Sequence, residues 1–296
     1  MDLKAYLSDK TALVDAALDR YLPGADTLPE KLHQAMRYSV MAGGKRLRPI
    51  LILASCAAVG GREELALPAA CAMEMIHTYS LIHDDLPAMD NDDFRRGRPT
   101  NHKVYGEATA ILAGDALLTE AFELLADRAL NPEVPAETLL RVTHLIARCA
   151  GSTGMVGGQV VDMESEGKEI DFPTLEYIHT RKTGALMLAS VQSGALIGAA
   201  DETAFDALTR YGSAAGLAFQ IADDILNVVG DSSTLGKAAG SDAERGKATY
   251  PALIGLDASR CRARELKDLA LAAIEPLGAP AEPLRAIARY IVERSS

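Results

Sequence analysis

The stretch 72–90, AMEMIHTYSLIHDDLPAMD, joins a largely apolar segment directly to a dense group of aspartates. Its apolar residues recur at three- and four-residue spacing, which is typical of a helix that buries one face. Asp84, Asp85 and Asp90 therefore emerge from a buried helix, and we predict that they open into a cleft. Crowded carboxylates need a cation, and their hard oxygen ligands suit Mg²⁺. A solvated acidic helix end is the alternative interpretation.

The same helical spacing extends along nearly all of the 296 residues, and Ala and Leu are abundant in the long segments. We therefore predict an all-α fold, with one single domain over residues 1–296 that forms a large helical bundle. Thr27 is the candidate N-cap of a helix with Glu30 three residues on. Gly43 and Gly44 are expected to end that helix.

The bulk composition limits the classes of partner. A net charge of -11 argues against a nucleic-acid surface, which needs a basic face. The longest apolar run, Ile50 to Val59, is about half of the roughly 20 residues that span a bilayer, so we predict no membrane span. The N-terminus lacks the basic start of a secretory signal, so we predict a cytoplasmic protein. The four cysteines are scattered in apolar surroundings and are predicted to be buried thiols.

A second acidic motif, QIADDILN, occupies residues 220–227. Residues three and four apart share a helix face, so Gln220, Asp223 and Asn227 are expected to point the same way while Asp224 points elsewhere. Asp223 is then the better candidate metal ligand, and Asn227 offers a neutral oxygen. Two such motifs on separate apolar helices indicate a metal site more strongly than either does alone.

Asp162 lies on a third helical segment, after the small-residue run from Gly151 to Gly158. That run lacks the lysine and the spacing of a phosphate-binding loop, so close helix packing is its expected role. Asp162 either supports the metal site through another residue or is an ordinary acid on a helix surface.

Basic residues occur where a phosphorylated substrate would need them. In GGKRLRP at 43–49, Gly44 exposes backbone N–H groups, and Lys45 and Arg48 are spaced to converge on a diphosphate while Arg46 points away. A surface network of ion pairs is the alternative for this cluster and for RRGR at 95–98.

Further candidate donors are a histidine and three lysines. His77 lies seven residues before Asp84 on the same helix face. It either donates a hydrogen bond to the diphosphate that the basic residues would bind, or is a buried structural histidine. Lys182 lies at the start of a predicted apolar helix that is rich in small residues. Lys237 and Lys247 lie in a glycine-rich segment after the second acidic motif, although loop lysines are usually only solvated.

Taken together, these residues resemble the trans-prenyltransferase (polyprenyl synthase) family, and bacterial farnesyl diphosphate synthases within it. The motifs that carry the resemblance are GGKRLRP at 43–49, HTYSLIHDDLPAMD at 77–90, RRGRPT at 95–100, GDALLT at 114–119, GGQ at 157–159, KTG at 182–184, FQIADDIL at 219–226 and GKATYP at 246–251.

The resemblance implies an isoprenoid (prenyl) synthase bundle around a central cavity, and a homodimer. The implied reaction is the head-to-tail condensation of isopentenyl diphosphate with dimethylallyl and geranyl diphosphate to give farnesyl diphosphate. A geranylgeranyl or geranyl diphosphate synthase of the same fold is the nearest alternative. A terpene cyclase needs no second diphosphate site, and a non-catalytic partner subunit would be expected to lack some of these acidic and basic clusters.

The resemblance also implies residue roles. Asp84, Asp90 and Asp223 match ligands of three Mg²⁺ ions. The allylic diphosphate would be held by Arg95, Lys182 and Lys237, and isopentenyl diphosphate by Gly44, Lys45, Arg48, His77 and Arg96. Catalytic roles in stabilising the allylic cation and its leaving group fall to Lys182, Thr183, Gln220 and Lys237, and Lys247 would help to close the site.

The resemblance also implies that Tyr79 and its neighbour Ser80 limit the length of the product. Tyr79 lies roughly 7.5 Å along the helix from Asp84, on the side away from the metals. In the family that this sequence resembles, enzymes with an aromatic residue at this position stop at a fifteen-carbon product. The alternative is that Tyr79 is simply a core residue. The chain departs from the family at Asn227, where the second motif usually carries a third aspartate.

Overall fold

The structure, a computed structural model, describes residues 1–229 and 247–293. It is 76% helical, which confirms the predicted all-α class. The α-helices are α1 (Leu3–Tyr21), α2 (Glu30–Val40), α3 (Leu47–Ala58), α4 (Glu63–Asp84), α5 (Asn101–Tyr105), α6 (Glu107–Ala126), α7 (Ala136–Ala150), α8 (Met155–Ser165), α9 (Phe172–Ile178), α10 (Ala185–Ile197), α11 (Glu202–Val229), α12 (Tyr250–Ile254), α13 (Leu256–Ala273) and α14 (Glu282–Glu293).

Three shorter kinds of element complete the described chain. A π-helix spans His179–Gly184 between α9 and α10. Two-residue strands, β1 (Phe94–Arg95) and β2 (Arg98–Pro99), pair antiparallel after the first acidic motif. Two 3₁₀ turns, Glu275–Leu277 and Ala279–Ala281, lead into α14.

The start of α2 differs in one detail from the prediction. The helix begins at Glu30 as expected, but its N-cap is Pro29, which makes no side-chain cap bond. Thr27 lies two residues too early, because the extended Pro29 separates it from the helix. The Thr27 carbonyl accepts a hydrogen bond from Nδ1 of His33 at 2.8 Å, and the predicted Thr27 cap is wrong.

Helix α4 is the central element of the bundle. Most of its residues are buried, and it packs against α3 and α6 in the larger of two hydrophobic clusters. By length and hydropathy alone, α4 is long and apolar enough to cross a membrane, but 78% of that window is buried inside the protein. Core helices of soluble proteins have the same property, so α4 is weak support for a membrane span.

The second hydrophobic cluster is built mainly from α11, α13 and α14, and α3 and α10 connect it to the first. Helices α3 and α10 approach closely because α10 carries a glycine at the contact. A Cβ on Gly194 would lie 2.1 Å from the carbonyl oxygen of Ile52. This close packing holds the two halves of the bundle together around the sites described next.

Candidate active site

A polar cleft of about 290 Å³ lies where α4, α8, the π-helix and α11 meet. We call it the polar cleft. The residues that line it are Leu81, Asp84, Asp90, Arg95, Asp162, Ile178, His179, Lys182, Thr183, Gln220, Asp223, Asp224, Lys247, Ala248 and Thr249. The two acidic motifs therefore face the same space.

The turn after α4 places the first pair of aspartates. The helix ends at Asp84, and Pro87 follows within a tight turn in which the Asp90 N–H donates to the Asp84 carbonyl at 2.8 Å. Asp90 is thus folded back beside Asp84 at the cleft. Burial raises the pKa of Asp84; Lys182 opposes that rise, and the nearby charge of Asp90 adds to it. Such an environment favours a bound cation.

Lysines contact the cleft carboxylates in the structure. Nζ of Lys182 donates to Oδ2 of Asp162 at 2.7 Å, and Nζ of Lys247 lies 3.2 Å from Oδ1 of Asp90. Within residues 1–229 and 247–293, no group of three His, Cys, Asp or Glu side chains is close enough together to hold a metal ion. Asp84, Asp90 and Asp223 nevertheless line one cleft with hard carboxylate oxygens, which is the donor chemistry that a divalent cation requires.

Asp162 belongs to the cleft rather than to an exposed helix surface. Its side chain is only 15% exposed and is paired with Lys182, and Nζ of Lys247 lies 3.7 Å away. The small-residue run before it packs closely, as expected, since a Cβ on Gly158 would lie 2.3 Å from the backbone nitrogen of Lys182. Helix α8 therefore lies directly against the π-helix.

The expectation for Asp224 is wrong in part. Asp224 does not turn away from Gln220, because Nε2 of Gln220 donates to Oδ1 of Asp224 at 3.1 Å, and both residues line the polar cleft. Residues four apart are neighbours on a helix, and this bond draws the two side chains together. Asn227 is buried and is not among the described residues that line the cleft.

The π-helix carries two of the predicted catalytic residues. Lys182 and Thr183 lie within it, and the Thr183 hydroxyl donates to Oε1 of Gln220 at 2.8 Å. One-turn π segments interrupt regular helices frequently at functional sites, because they change the direction of the side chains they carry. Here the segment directs Lys182 and Thr183 into the cleft beside α11.

The apolar counterpart of the polar cleft is a cavity of about 530 Å³, which we call the apolar cavity. It shares Leu81, Asp84, Lys182 and Thr183 with the polar cleft, so the two adjoin each other. Its other lining residues are Arg48, His77, Tyr79, Ser80, His83, Leu86, Ala88, Met89, Ile111, Met155, Val156, Gln159, Val160 and Met163. Its volume is in the range of cavities that bind small organic ligands.

Tyr79 lies in the wall of the apolar cavity and is 7% exposed. Its ring meets that of His83 edge to face, with 5.7 Å between the centroids. Nε2 of His83 lies 3.0 Å from the carbonyl oxygen of Ile111, and the absence of a Cβ at Gly114 leaves room for the His83 ring. Ser80 donates to the His77 carbonyl at 2.8 Å.

The first basic cluster divides in the structure. Arg48 and His77 line the apolar cavity together, whereas the exposed Lys45 lines a separate groove with Phe219 and Tyr290. The predicted helical convergence of Lys45 and Arg48 fails because α3 begins at Leu47 and Arg46 has φ 45°, a left-handed conformation. Lys45 therefore precedes the helix that carries Arg48.

Arg46 points away from the cavity, as predicted. Its guanidinium is buried and bonds to Glu74 at 2.7 Å, to Asp15 at 2.7 Å and to the carbonyl of Val40 at 2.6 Å. It thus connects α1, the end of α2 and α4 behind the site.

The second basic cluster is adjacent to the first. Nη1 of Arg96 donates to the Gly43 carbonyl, and a Cβ on Gly44 would lie 2.7 Å from the Arg96 guanidinium. Burial lowers the pKa of Arg48, and it lowers the pKa of His77 well below its usual range, with the charges of Arg48 and Arg96 adding to the effect. Among the residues that the structure describes, none is a hydrogen-bond partner for the buried Nε of Arg48. A neutral histidine and crowded guanidiniums form a site suited to an anion.

Several site features were not visible in the sequence. Arg95 forms two bonds from Nε to the Asp85 carboxylate, at 2.8 and 2.9 Å, so Asp85 holds Arg95 at the cleft. His179 enters the cleft wall and bonds to Asp224. The sequence feature that could have identified His179 as a cleft residue is its position four residues before Thr183. The predicted Lys237 lies outside the described residues, whereas Lys247 lies in the cleft.

A helical bundle with a carboxylate-lined cleft above an apolar cavity defines a protein suited to ligands that have a charged head and an apolar tail. The family model described as polyprenyl synthetase matches residues 29–275. The chain belongs to this family. It is a prenyltransferase, an enzyme of isoprenoid biosynthesis, and the family's prenyl synthases generally use divalent metal ions.

Curated relatives and solved structures show the same similarity. The chain is 51% identical over 256 residues to the farnesyl diphosphate synthase of Geobacillus stearothermophilus, covering 86% of each chain. It is 48% identical over 296 residues to the geranylgeranyl diphosphate synthase of Cyanophora paradoxa, covering 100% of this chain and 97% of the relative. A crystal structure of an FPP/GFPP synthase from Zymomonas mobilis superimposes with a TM-score of 0.87 at 40% identity, covering 98% of this chain and 99% of that one.

Proposed function

We propose that this short-chain trans-prenyl diphosphate synthase condenses isopentenyl diphosphate with dimethylallyl and then geranyl diphosphate, head to tail, and releases farnesyl diphosphate. The observation that carries the proposal is that the polar cleft adjoins the apolar cavity and shares Asp84, Lys182 and Thr183 with it. A diphosphate in the cleft would place its prenyl chain in the cavity.

The allylic diphosphate would bind in the polar cleft. Asp84, Asp90 and Asp223 would hold Mg²⁺, three ions with substrate bound, and these ions would neutralise charge on the departing diphosphate. Arg95, fixed by Asp85, and Lys182 would donate to the same oxygens. Lys237 is proposed for this role by resemblance alone. Lys247, which contacts Asp90, would close the cleft.

Ionisation of the allylic carbon–oxygen bond would leave a cation at the top of the apolar cavity. The Thr183 hydroxyl and the Gln220 amide, already bonded to each other, would present their dipoles to that charge. The apolar cavity walls would exclude water that would otherwise quench the cation. The isopentenyl double bond would then attack, and the proton lost would pass to the released diphosphate.

Isopentenyl diphosphate would bind to the guanidiniums on the other side of the cavity. Arg48, with its buried Nε, and Arg96 would supply charge, and neutral His77 would supply one N–H. Gly44 would permit the close approach of Arg96. Lys45 lines the separate groove and is proposed for this site by resemblance alone.

The fifteen-carbon product is proposed from Tyr79 and Ser80, which lie in the cavity wall below Asp84. Tyr79 is held by its contact with His83, so its ring would stop a growing chain. The similar relatives include both farnesyl and geranylgeranyl diphosphate synthases, so a twenty-carbon product is the competing outcome.

The test is product analysis. Purified protein with Mg²⁺, isopentenyl diphosphate and either dimethylallyl or geranyl diphosphate is expected to release inorganic diphosphate and to form mainly farnesyl diphosphate. Chelation of the metal with EDTA is expected to stop the reaction, and added Mg²⁺ to restore it. The absence of condensation would contradict the enzymatic proposal, whereas a mainly twenty-carbon product would contradict only the role of Tyr79.

Three coarser proposals concern the whole protein. We propose one single domain over residues 1–296, a homodimer in solution and a cytoplasmic location. Light scattering of the purified protein tests the dimer, since a monomer has a mass of 31.4 kDa. Limited proteolysis tests the single domain, which is expected to yield no independently folded half.

A further inference from the structure

The wall of the polar cleft contains a buried pair that the reaction described above does not use. His179 begins the π-helix, and Asp224 follows Asp223 on α11. Nε2 of His179 lies 2.8 Å from Oδ2 of Asp224, and the two residues are 5% and 3% exposed. The bond therefore joins two elements that each carry proposed catalytic residues, across 45 positions of sequence.

Both ring nitrogens of His179 and both carboxyl oxygens of Asp224 have hydrogen-bond partners. Nδ1 of His179 lies 3.0 Å from the Leu175 carbonyl, which only accepts, so Nδ1 donates. Asp224 receives the Tyr250 N–H at 2.9 Å and the Gln220 amide at 3.1 Å, in addition to His179. The Asp224 side chain therefore has three hydrogen-bond partners, and each comes from a different element of the bundle or a different turn of α11.

Gln220 connects the pair by hydrogen bonds to Thr183, one of the proposed catalytic residues. Because the Gln220 amide nitrogen donates to Asp224, its oxygen faces the opposite way and accepts from the Thr183 hydroxyl at 2.8 Å. The chain of bonds from His179 through Asp224 and Gln220 ends at Thr183. The His179 ring also packs edge to face on Tyr250, at 5.3 Å between centroids.

We propose that His179 is a positioning residue for the prenyl transfer reaction. It acts through Asp224, which holds the Gln220 amide in the one orientation that directs both its oxygen and the Thr183 hydroxyl to the reacting carbons. Without a hydrogen-bonding ring at residue 179, Asp224 loses one of its three partners, and its hold on the Gln220 amide is weakened. This inference rests on the proposed function only in its kinetic test, because kcat and KM can be measured only if the protein catalyses the proposed condensation.

The decisive variant is His179→Phe, which keeps an aromatic ring against Tyr250 but donates no hydrogen bond. His179→Gln keeps one N–H within reach of Asp224 and is the conservative variant. His102→Gln is the matched control, since His102 is another buried histidine, on α5, and it does not line the polar cleft. Thermal unfolding of each variant establishes that it is folded before kinetics are measured.

The kinetic expectation is a split between parameters. His179→Phe is expected to lower kcat by about 10- to 100-fold, because loss of a supporting hydrogen bond misplaces the groups it orients. The KM for isopentenyl diphosphate is expected to stay within about twofold, as Arg48, His77 and Arg96 are not bonded to the pair. His179→Gln is expected to recover part of kcat, and His102→Gln to match the wild type. A folded His179→Phe with wild-type kcat would overturn the proposal, as would equal losses in both parameters.

A second readout does not depend on activity. The side-chain amide signals of Gln220, assigned in NMR spectra by their loss in Gln220→Ala, are expected to shift in His179→Phe and to remain in place in His102→Gln. Unchanged Gln220 signals in the folded His179→Phe protein would also overturn the proposal. If the wild-type protein fails to condense substrates, the proposed function fails, and these signals alone decide the positioning role of His179. Should His179→Phe not fold, the same two measurements are made on His179→Gln. Intermediate changes in kcat and in the Gln220 signals are then expected, and no change in either would overturn the proposal.

Discussion

At the scale of single residues, Asp84 is the last residue of the buried helix α4 and one of the carboxylates that line the polar cleft. Its carboxylate lies at the junction of the polar cleft and the apolar cavity, and burial raises its pKa. A carboxylate in this place is costly for the fold unless a cation accompanies it. We therefore interpret its burial as a requirement of the reaction and not of stability.

Asp84→Asn removes the charge and keeps the shape. We expect kcat to fall by about 10²- to 10³-fold, because a group that stabilises developing charge is lost. Binding of Mn²⁺ in the presence of a substrate diphosphate, followed by electron paramagnetic resonance, is expected to weaken in parallel. Asp9→Asn, at an exposed position on α1, is the control and is expected to change neither measurement. Wild-type turnover by Asp84→Asn would show that the metal assignment is wrong.

Tyr79→Ala tests the limit of product length. Removing the ring opens the wall of the apolar cavity below Ser80, so we expect the main product to lengthen from fifteen to twenty carbons or more. Chromatography of the dephosphorylated alcohols measures the ratio. Tyr105→Ala, on α5 outside the cavity lining, is the matched control and is expected to keep the wild-type ratio. An unchanged ratio in Tyr79→Ala would mean that Tyr79 is only a core residue.

At the scale of elements, the buried Arg46 joins helices behind the site. Its guanidinium bonds to Glu74 of α4, Asp15 of α1 and the carbonyl that ends α2. Arg46→Met leaves Glu74 buried without its partner, so we expect the free energy of unfolding to fall by about 3 to 5 kcal/mol. Urea denaturation measures the change.

The double variant Arg46→Met with Glu74→Met is the matched comparison. It removes both charges and fills the space with apolar atoms, so much of the lost stability is expected to return. Equal losses in the single and double variants would contradict the argument, because they would show that the cost does not come from an unpaired buried carboxylate.

Helix α8 and the π-helix approach so closely that only glycine fits between them. A Cβ on Gly158 would lie 2.3 Å from the backbone nitrogen of Lys182, and backbone atoms have little room to move. Gly158→Ala is therefore expected to separate the two elements and to lower kcat by about tenfold or more through displacement of Lys182 and Thr183. In Gly212→Ala the nearest atoms are Cδ1 of Leu188 at 3.1 Å and Cβ of Val191 at 3.2 Å, which need to move by only a few tenths of an ångström, so this control is expected to stay nearer to wild-type activity.

The elements themselves were largely predictable from the sequence. Helical periodicity gave the all-α class, and the apolar run before Asp84 predicted α4 with its acids at a cleft. Local spacing failed at Lys45, because the left-handed Arg46 displaces it from the helix that carries Arg48. Three- and four-residue spacing indicates which side chains share a face only where the backbone stays helical.

The partners of Asp224 were beyond prediction for a different reason. His179 and Tyr250 lie 45 and 26 residues away, and only the packing of the bundle brings them together. Spacing places Asp224 on α11, but its bonds depend on which helix packs against that face. The same limit applies to Asp85, which was identified as an acid of the first motif but whose partner Arg95 lies in β1, beyond the turn that ends α4.

At the scale of the whole molecule, the core buries ionisable groups in both hydrophobic clusters. Cys56 and Cys71 are buried as predicted, whereas Cys149 is half-buried and Cys261 is exposed, because α13 turns that residue towards solvent. Burial raises the pKa of Cys56 to about 11 and also raises that of Cys71. Tyr211, fully buried on α11, has its pKa raised by burial as well.

These raised pKa values predict that the protein is destabilised at alkaline pH. In the unfolded chain, cysteine loses its proton near pH 8.5 and tyrosine near about pH 10, whereas the buried groups keep theirs. The folded state then binds more protons than the unfolded state, so the free energy of unfolding must fall as pH rises. For Cys56 the window runs from about pH 8.5 in the unfolded state to about 11 in the folded state.

Urea denaturation at pH 8, 9 and 10 in one ionic strength measures this slope. We expect the midpoint to fall over the series, and to fall less steeply in a Cys56→Ala and Cys71→Ala double variant, which lacks two of the responsible groups. Cys261→Ala is the control: its thiol is exposed, so the slope is expected to match the wild type. A midpoint that is constant or rises with pH would mean that the thiols ionise equally in both states, and the tight burial around α3 and α4 would then be wrong.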